Sequence, residues 1–88
     1  MKKILEIQNR KGLHARASAK FVECVEGFDA TAAVSRNGET VSGDSIMGLL
    51  MLEAALGTTI TVTTHGPEGD ALGDAIEALI NDKFGEGA

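Results

Sequence analysis

Eighty-eight residues make one small domain with a modest core and no room for a buried, many-part active site. Apolar residues make up 43%, ordinary for a folded domain, while a net charge of −5 and the absence of Trp and Tyr argue against nucleic-acid binding by phosphate attraction or base stacking. Cys24 is the single cysteine, so no intramolecular disulfide forms, which fits a reducing compartment.

The start Met1-Lys2-Lys3 has only Ile4-Leu5 before Glu6, too short for a signal-peptide core. No stretch approaches the length of a membrane span. The expectation is a soluble cytoplasmic protein with no membrane insertion. Residues 2–8 alternate, Leu5 and Ile7 facing one way and Glu6 and Gln8 the other, and predict a first strand. Residues 9–13 form a polar loop ending in Gly12. Residues 15–26 predict a helix, with Ser18, Phe21, Val22 and Val25 on one face and Gly27 as its stop.

Ala30 to Arg36 reads as a second strand, although Ala32 and Ala33 weaken it. Asn37-Gly38 is a hairpin signal, and Glu39 to Ser42 is the returning strand. Asp44 and Ser45 are good N-caps for a short helix over residues 46–54, which Gly57 ends. Ile46, Met47, Leu49, Leu50, Met51 and Leu52 are more apolar than one buried stripe requires, so part of that surface is expected to be exposed. Thr59 to Thr64 is a β-branched strand with Ile60 and Val62 inward, and His65-Gly66-Pro67 is a turn. Residues 70–84 predict the last helix, with Leu72, Ala75, Ile76 and Leu79 on one face. The tail Gly85-Glu86-Gly87-Ala88 is expected to fray. The order β-α-β-β-α-β-α predicts an α+β fold, a four-stranded antiparallel sheet with three helices on one face.

Charge is unevenly placed along this order. Residues 1–20 hold Lys2, Lys3, Arg10, Lys11, Arg16 and Lys20 against Glu6 alone. The remainder holds Arg36 and Lys83 against twelve carboxylates. Such asymmetry steers anionic ligands or acidic partners to one face. A solvated basic strip is the plainer alternative for any single lysine. His14 lies in this basic segment, after the Gly12 turn and at the expected start of a helix, with Arg16 two residues on. Helix starts expose unpaired N–H groups and partial positive charge, and arginine adds charge-assisted hydrogen bonds. Neutral imidazole is a good nucleophile near pH 7 and a good leaving group once phosphorylated. The pattern is that of a site which accepts a phosphoryl group on histidine.

Gly12-Leu13-His14-Ala15-Arg16 between the first strand and first helix resembles the HPr family. These are the histidine phosphocarriers of the bacterial phosphoenolpyruvate-dependent phosphotransferase system. The resemblance covers essentially the whole chain, residues 1–88 as a single HPr domain, and includes Phe21-Val22, the Asn37-Gly38 turn and Ser45-Ile46-Met47. It implies an open-faced β-sandwich. It also implies a stoichiometric carrier, not a turnover enzyme, that takes a phosphoryl group from phosphorylated enzyme I onto Nδ1 of His14 and passes it to a type IIA domain. Arg16 and the backbone N–H groups of Ala15, Arg16 and Ala17 would hold the phosphate. The outputs it implies are sugar uptake or nitrogen and carbon regulation, by a monomer, without a cofactor or metal.

Ala17 stands where many members have proline, and Glu23, Glu26 and Gly48 stand where well-known members carry lysines toward enzyme I. Leu49-Leu50-Met51-Leu52-Glu53 and Gly66-Pro67 are similar to the nitrogen-related branch, NPr. In part of the family, a dedicated serine kinase/phosphorylase modifies the residue corresponding to Ser45. A phosphate there would sit at a helix N-terminus and add charge beside the docking surface; an ordinary N-cap serine is the alternative. Ile46, Met47, Met51 and Lys20 are the candidate docking residues, adaptable methionines among them, against ordinary core packing as the other reading. Cys24 reads as a half-buried helix residue and His65 as structural or solvent-exposed. Neither histidine has metal-site spacing. The competing function is a regulatory docking module controlled by Ser45 phosphorylation; His14 with Arg16 favours the carrier. A small enzyme is disfavoured because no second acid–base or nucleophilic group accompanies His14.

Overall fold

Strand alternation divides the sheet into a dry face and a wet one. The computed structural model describes residues 1–88. The elements are β1 (Lys2–Glu6), α1 (Ala15–Glu26), β2 (Thr31–Arg36), β3 (Glu39–Ser42), α2 (Ile46–Met51), β4 (Thr59–His65) and α3 (Gly69–Asn81), followed by a 3-10 turn at Lys83–Gly85. The four strands lie in the order β1-β4-β2-β3. Every neighbouring pair is antiparallel, with Leu5 opposite Ile60, and Val34 opposite both Val62 and Val41. The dry face carries Leu5, Ala32, Val34, Ile60 and Val62, all buried.

The helices cover that dry face. Phe21, Val22 and Val25 of α1, Leu49 of α2, and Leu72, Ile76 and Ile80 of α3 join the strand residues in one core. Each such side chain contributes roughly 1.5–3 kcal/mol by leaving water, a large share of the net stability of a small domain. The opposite face is open. Its central row runs Ile4, Thr61, Ser35, Thr40 across the four strands, and Ser35 and Thr40 share a 2.8 Å hydroxyl hydrogen bond. Ile4 is 70% exposed there. This is the open-faced arrangement expected from the sequence, and α1 has the expected bounds. No helix is long and apolar enough to cross a membrane.

Four local expectations need correction. First, β1 stops at Glu6 rather than residue 8, although Ile7 is fully buried and its backbone bonds Thr58 and Gly57. Second, α2 ends at Met51 instead of running to residue 54. Glu53 adopts a left-handed conformation at φ 51°, and the chain then turns to bury Leu52 and Ala54. The Arg36 guanidinium anchors this exit by donating to the Leu52 carbonyl at 2.9 Å. Gly57 therefore serves the turn into β4, at φ 85°, and not the helix end. Third, α3 stops at Asn81, because Lys83 and Phe84 both have left-handed φ, 54° and 53°. Its buried stripe is Leu72, Gly73, Ile76 and Ile80, with Ala75 at the edge. Fourth, the tail does not fray. Phe84 is fully buried, and the Ala88 carbonyl accepts from the Arg10 N–H at 3.0 Å. Burial of one aromatic ring fixes the segment that follows it.

Candidate functional site

The loop before α1 is held by backbone approach that only glycine permits at its tightest point. Gly12 has φ +65°, and a Cβ added there would lie 2.3 Å from the Ala54 carbonyl oxygen. That proximity lets the Leu13 N–H donate to the same carbonyl at 2.9 Å. Asn9, fully buried, donates from Nδ2 to the Gly12 carbonyl at 2.8 Å. The chain leaves this loop with His14 as the N-cap of α1, at φ −74° and ψ −179°. The His14 side chain is itself the cap. Its Nδ1 accepts from the Arg16 N–H at 3.3 Å. Nδ1 therefore carries no proton, and a neutral ring has its proton on Nε2.

That second nitrogen meets a carboxylate from the far end of the chain. His14 Nε2 lies 2.5 Å from Glu86 Oε2. The other carboxylate oxygen, Oε1, accepts from Asn9 Nδ2 at 3.0 Å. Asn9 thus ties the Gly12 turn and Glu86 together. The His14 and Glu86 side chains are 27% and 16% exposed, so both are partly withdrawn from water. Burial pushes the Glu86 carboxyl up, but hydrogen bonds from Asn9 and His14 and the charges of His14 and Lys11 outweigh it and hold it below its ordinary value.

Around this pair lies a cleft of about 640 Å³, lined by Arg10, Lys11, His14, Ala15, Arg16, Lys20, Gly85, Glu86 and Ala88. Four cationic side chains thus share the cleft with one carboxylate side chain. Arg16 is exposed and makes no ion pair within the chain. The N–H groups of Ala15 and Ala17 have no acceptor within the chain, as expected for a first helical turn. The dipole of the twelve-residue α1 adds to this positive field. Such an arrangement suits an anion placed against the His14 edge that carries Nδ1.

The structure brings His14, Ala15 and Arg16 together with Lys20, and sets Ala17 in the first turn of α1 with its side chain buried. Lys20 is already engaged, donating from Nζ to the Phe84 carbonyl at 2.6 Å. Ser45 and the α2 residues lie outside the cleft, on a helix that packs against α1. Ser45 Oγ caps α2, accepting from the Gly48 N–H at 3.0 Å. Met47, Met51 and Ile46 are 68%, 64% and 40% exposed, an apolar patch left open. His65 is exposed at the end of β4, and Cys24 is half-buried on α1 with burial pushing its thiol up. No group of three or more His, Cys, Asp or Glu side chains could hold a metal ion.

Two residues of the site escaped sequence reasoning. In the sequence, Asn9 is one residue of a polar loop and Glu86 lies in a glycine-rich tail. Neither carries a local signal, since the contact of Glu86 with His14 spans 72 residues.

The family model described as the PTS HPr component phosphorylation site matches residues 1–82. A phosphocarrier protein HPr from Cupriavidus necator is 48% identical over 81 residues, covering 92% of this chain and 91% of that protein. A phosphocarrier protein NPr from Shewanella violacea is 44% identical over 80 residues, covering 91% and 88%. The crystal structure of HPr-C-His from Thermoanaerobacter tengcongensis superimposes with a TM-score of 0.93 at 32% identity, covering 98% of this chain and 97% of that one. These likenesses place the molecule in the class of small phosphocarrier proteins of the phosphotransferase system. The chain belongs to the HPr family.

Proposed function

We propose that this chain accepts a phosphoryl group on Nδ1 of His14 from phosphorylated enzyme I, itself charged by phosphoenolpyruvate, and delivers it to type IIA proteins. The observation that carries the reading is the presentation of an unprotonated Nδ1 at the N-terminus of α1, beside the unpaired Arg16 guanidinium. The bond from the Arg16 N–H to Nδ1 is long, at 3.3 Å, and hence weak. Phosphorus displaces it, and the N–H then donates to a phosphoryl oxygen. The N–H groups of Ala15 and Ala17 and the Arg16 side chain hold the remaining oxygens. Phosphoryl transfer rests mainly on positioning and charge stabilisation, so a shallow site suffices when the partner closes it.

The carrier is stoichiometric and works as a single cytoplasmic domain, residues 1–88, and as a monomer. Ile46, Met47 and Met51 supply an adaptable apolar contact for its partners, and Lys20 supplies charge at the rim. Ser45 is the control point. Phosphate on its Oγ, added by a serine kinase where one exists, puts negative charge beside the patch that receives acidic partners and lowers docking. Incubation with active enzyme I and phosphoenolpyruvate, read by intact mass, tests the carrier reading. An acid-labile gain of one phosphate in the wild type, absent in His14→Ala, is expected; no gain refutes it and leaves docking as the function.

A further inference from the structure

The geometry points to Glu86 as a positioning residue for the transfer: we propose that its carboxylate keeps the proton on His14 Nε2, so that the phosphorylated ring is a cation whose charge Glu86 balances and which releases its phosphoryl group as neutral imidazole. The inference rests on the phosphocarrier reading and goes beyond it, because it concerns the ring edge opposite the phosphate.

Three contacts carry it. Glu86 Oε2 lies 2.5 Å from Nε2, within reach of a charge-assisted hydrogen bond. Asn9 Nδ2 holds the other carboxylate oxygen at 3.0 Å. The Arg16 N–H occupies the Nδ1 edge, which leaves Nε2 as the protonated atom. The segment bearing Glu86 is pinned on both sides, by buried Phe84 with its carbonyl bonded to Lys20, and by the Ala88 carbonyl bonded to Arg10. Glu86 is therefore presented to the ring by the fold.

The proton balance follows from this arrangement. On acceptance, the Nδ1 lone pair forms the bond to phosphorus, and the bond from phosphorus to the donor breaks, its electron pair returning to the donor. No proton moves, since Nδ1 had none. The ring now bears a positive charge with its proton still on Nε2. On donation, the P–Nδ1 bond breaks, and its pair returns to Nδ1, which restores the neutral ring. Were Nε2 deprotonated, the departing group would be an imidazole anion, a far poorer leaving group. The charged groups facing the ring are Arg10 and Lys11 from the loop, Arg16 and Lys20 from α1, and Glu86 from the last turn. Among these side chains only Glu86 is a carboxylate, and it is the one in contact with Nε2, which is why its removal should be felt.

The test uses full-length wild type, Glu86→Gln and Glu86→Ala, each phosphorylated with phosphoramidate so that no partner protein is required. Phosphoryl loss is followed by intact mass from pH 5 to 9. Wild type should keep its fast release to higher pH than either variant, and at pH 8 both variants should release roughly three- to tenfold more slowly, the effect of losing one partly solvated charge. Glu86→Gln retains a hydrogen-bond acceptor, so an equal shift in both variants assigns the effect to charge. Superimposable profiles for wild type and Glu86→Gln overturn the proposal. So does a wild-type neutral ring found protonated on Nδ1 by nitrogen NMR, a measurement independent of any variant's folding. If instead these expectations hold but enzyme I fails to charge the wild type, the carrier reading falls and the role of Glu86 stands.

Discussion

Gly12→Ala and Gly38→Ala form a matched pair that separates backbone strain from steric exclusion. Both glycines have left-handed φ, +65° and +82°. Alanine in that conformation costs on the order of 1 kcal/mol at either site. At Gly38 nothing lies within 4 Å of the new methyl group, so strain is the whole cost. At Gly12 the methyl would sit 2.3 Å from the Ala54 oxygen and 2.9 Å from the Ala55 Cα. The loop must then separate from residues 54–55 by about 1 Å, since an ordinary C···O contact begins near 3.3 Å. That movement breaks the 2.9 Å bond from the Leu13 N–H to the Ala54 carbonyl, at a cost of about 1 kcal/mol. It also admits water to Leu13 and Ala54, 4% and 3% exposed, for roughly 1 kcal/mol more. Urea unfolding should therefore show a loss of about 3 kcal/mol for Gly12→Ala and about 1 kcal/mol for Gly38→Ala. Because the same loop sets His14 at the start of α1, Gly12→Ala should also slow phosphorylation at temperatures where it stays folded, while Gly38→Ala should not. Equal destabilisation by the two changes would refute the reasoning.

Phe84→Ala removes a fully buried ring and should cost about 3–5 kcal/mol in urea unfolding; a change below about 1 kcal/mol would mean the last turn does not dock. The Glu86 carboxyl is held below its ordinary value of 4.5. Its contribution to stability is therefore complete above that value and is lost as pH falls through the lower folded-state value. Unfolding midpoints from pH 2 to 7 should fall more on acidification for wild type than for Glu86→Gln, with the difference concentrated below 4.5; a difference that is flat with pH contradicts this sign. Met47→Asp changes a side chain 68% exposed and should leave stability within ~0.5 kcal/mol. Its acceptance of phosphate from enzyme I should nonetheless slow, as repulsion of an acidic partner is added to the loss of apolar contact; unchanged transfer with unchanged stability removes α2 from the docking surface.

The sequence pattern revealed what periodicity and turn chemistry control. Phe21, Val22 and Val25 repeat at helical spacing between a glycine turn and Gly27, and α1 follows them. Asn37-Gly38 made a tight hairpin because both residues adopt left-handed φ, as such turns require. The end of α3 was hidden for a physical reason. Leu72, Ile76, Ile80 and Phe84 continue at intervals of four, so local pattern reads one unbroken helix through residue 84. The break at Lys83-Phe84 keeps Phe84 buried while freeing its carbonyl for Lys20 and swinging Glu86 to His14. Likewise, Glu53 carries no residue-type signal for its left-handed φ; the turn is fixed by burial of Leu52 and Ala54 and by the reach of Arg36. His14, Arg16 and the helix N-terminus were legible because they are neighbours in sequence. Asn9 and Glu86 were not, because their roles exist only once the two ends of the chain have met.

The atom that receives the phosphoryl group decides whether His14 is the carrier site. Protein carrying nitrogen-15 in its histidine rings, charged by enzyme I and phosphoenolpyruvate, can be read by phosphorus and nitrogen NMR. The predicted spectrum has one phosphorus nucleus coupled to Nδ1 of His14, with a proton retained on Nε2. Phosphorus coupled to Nε2, or found on His65 or a serine hydroxyl while His14 is unmodified, would contradict the proposed site.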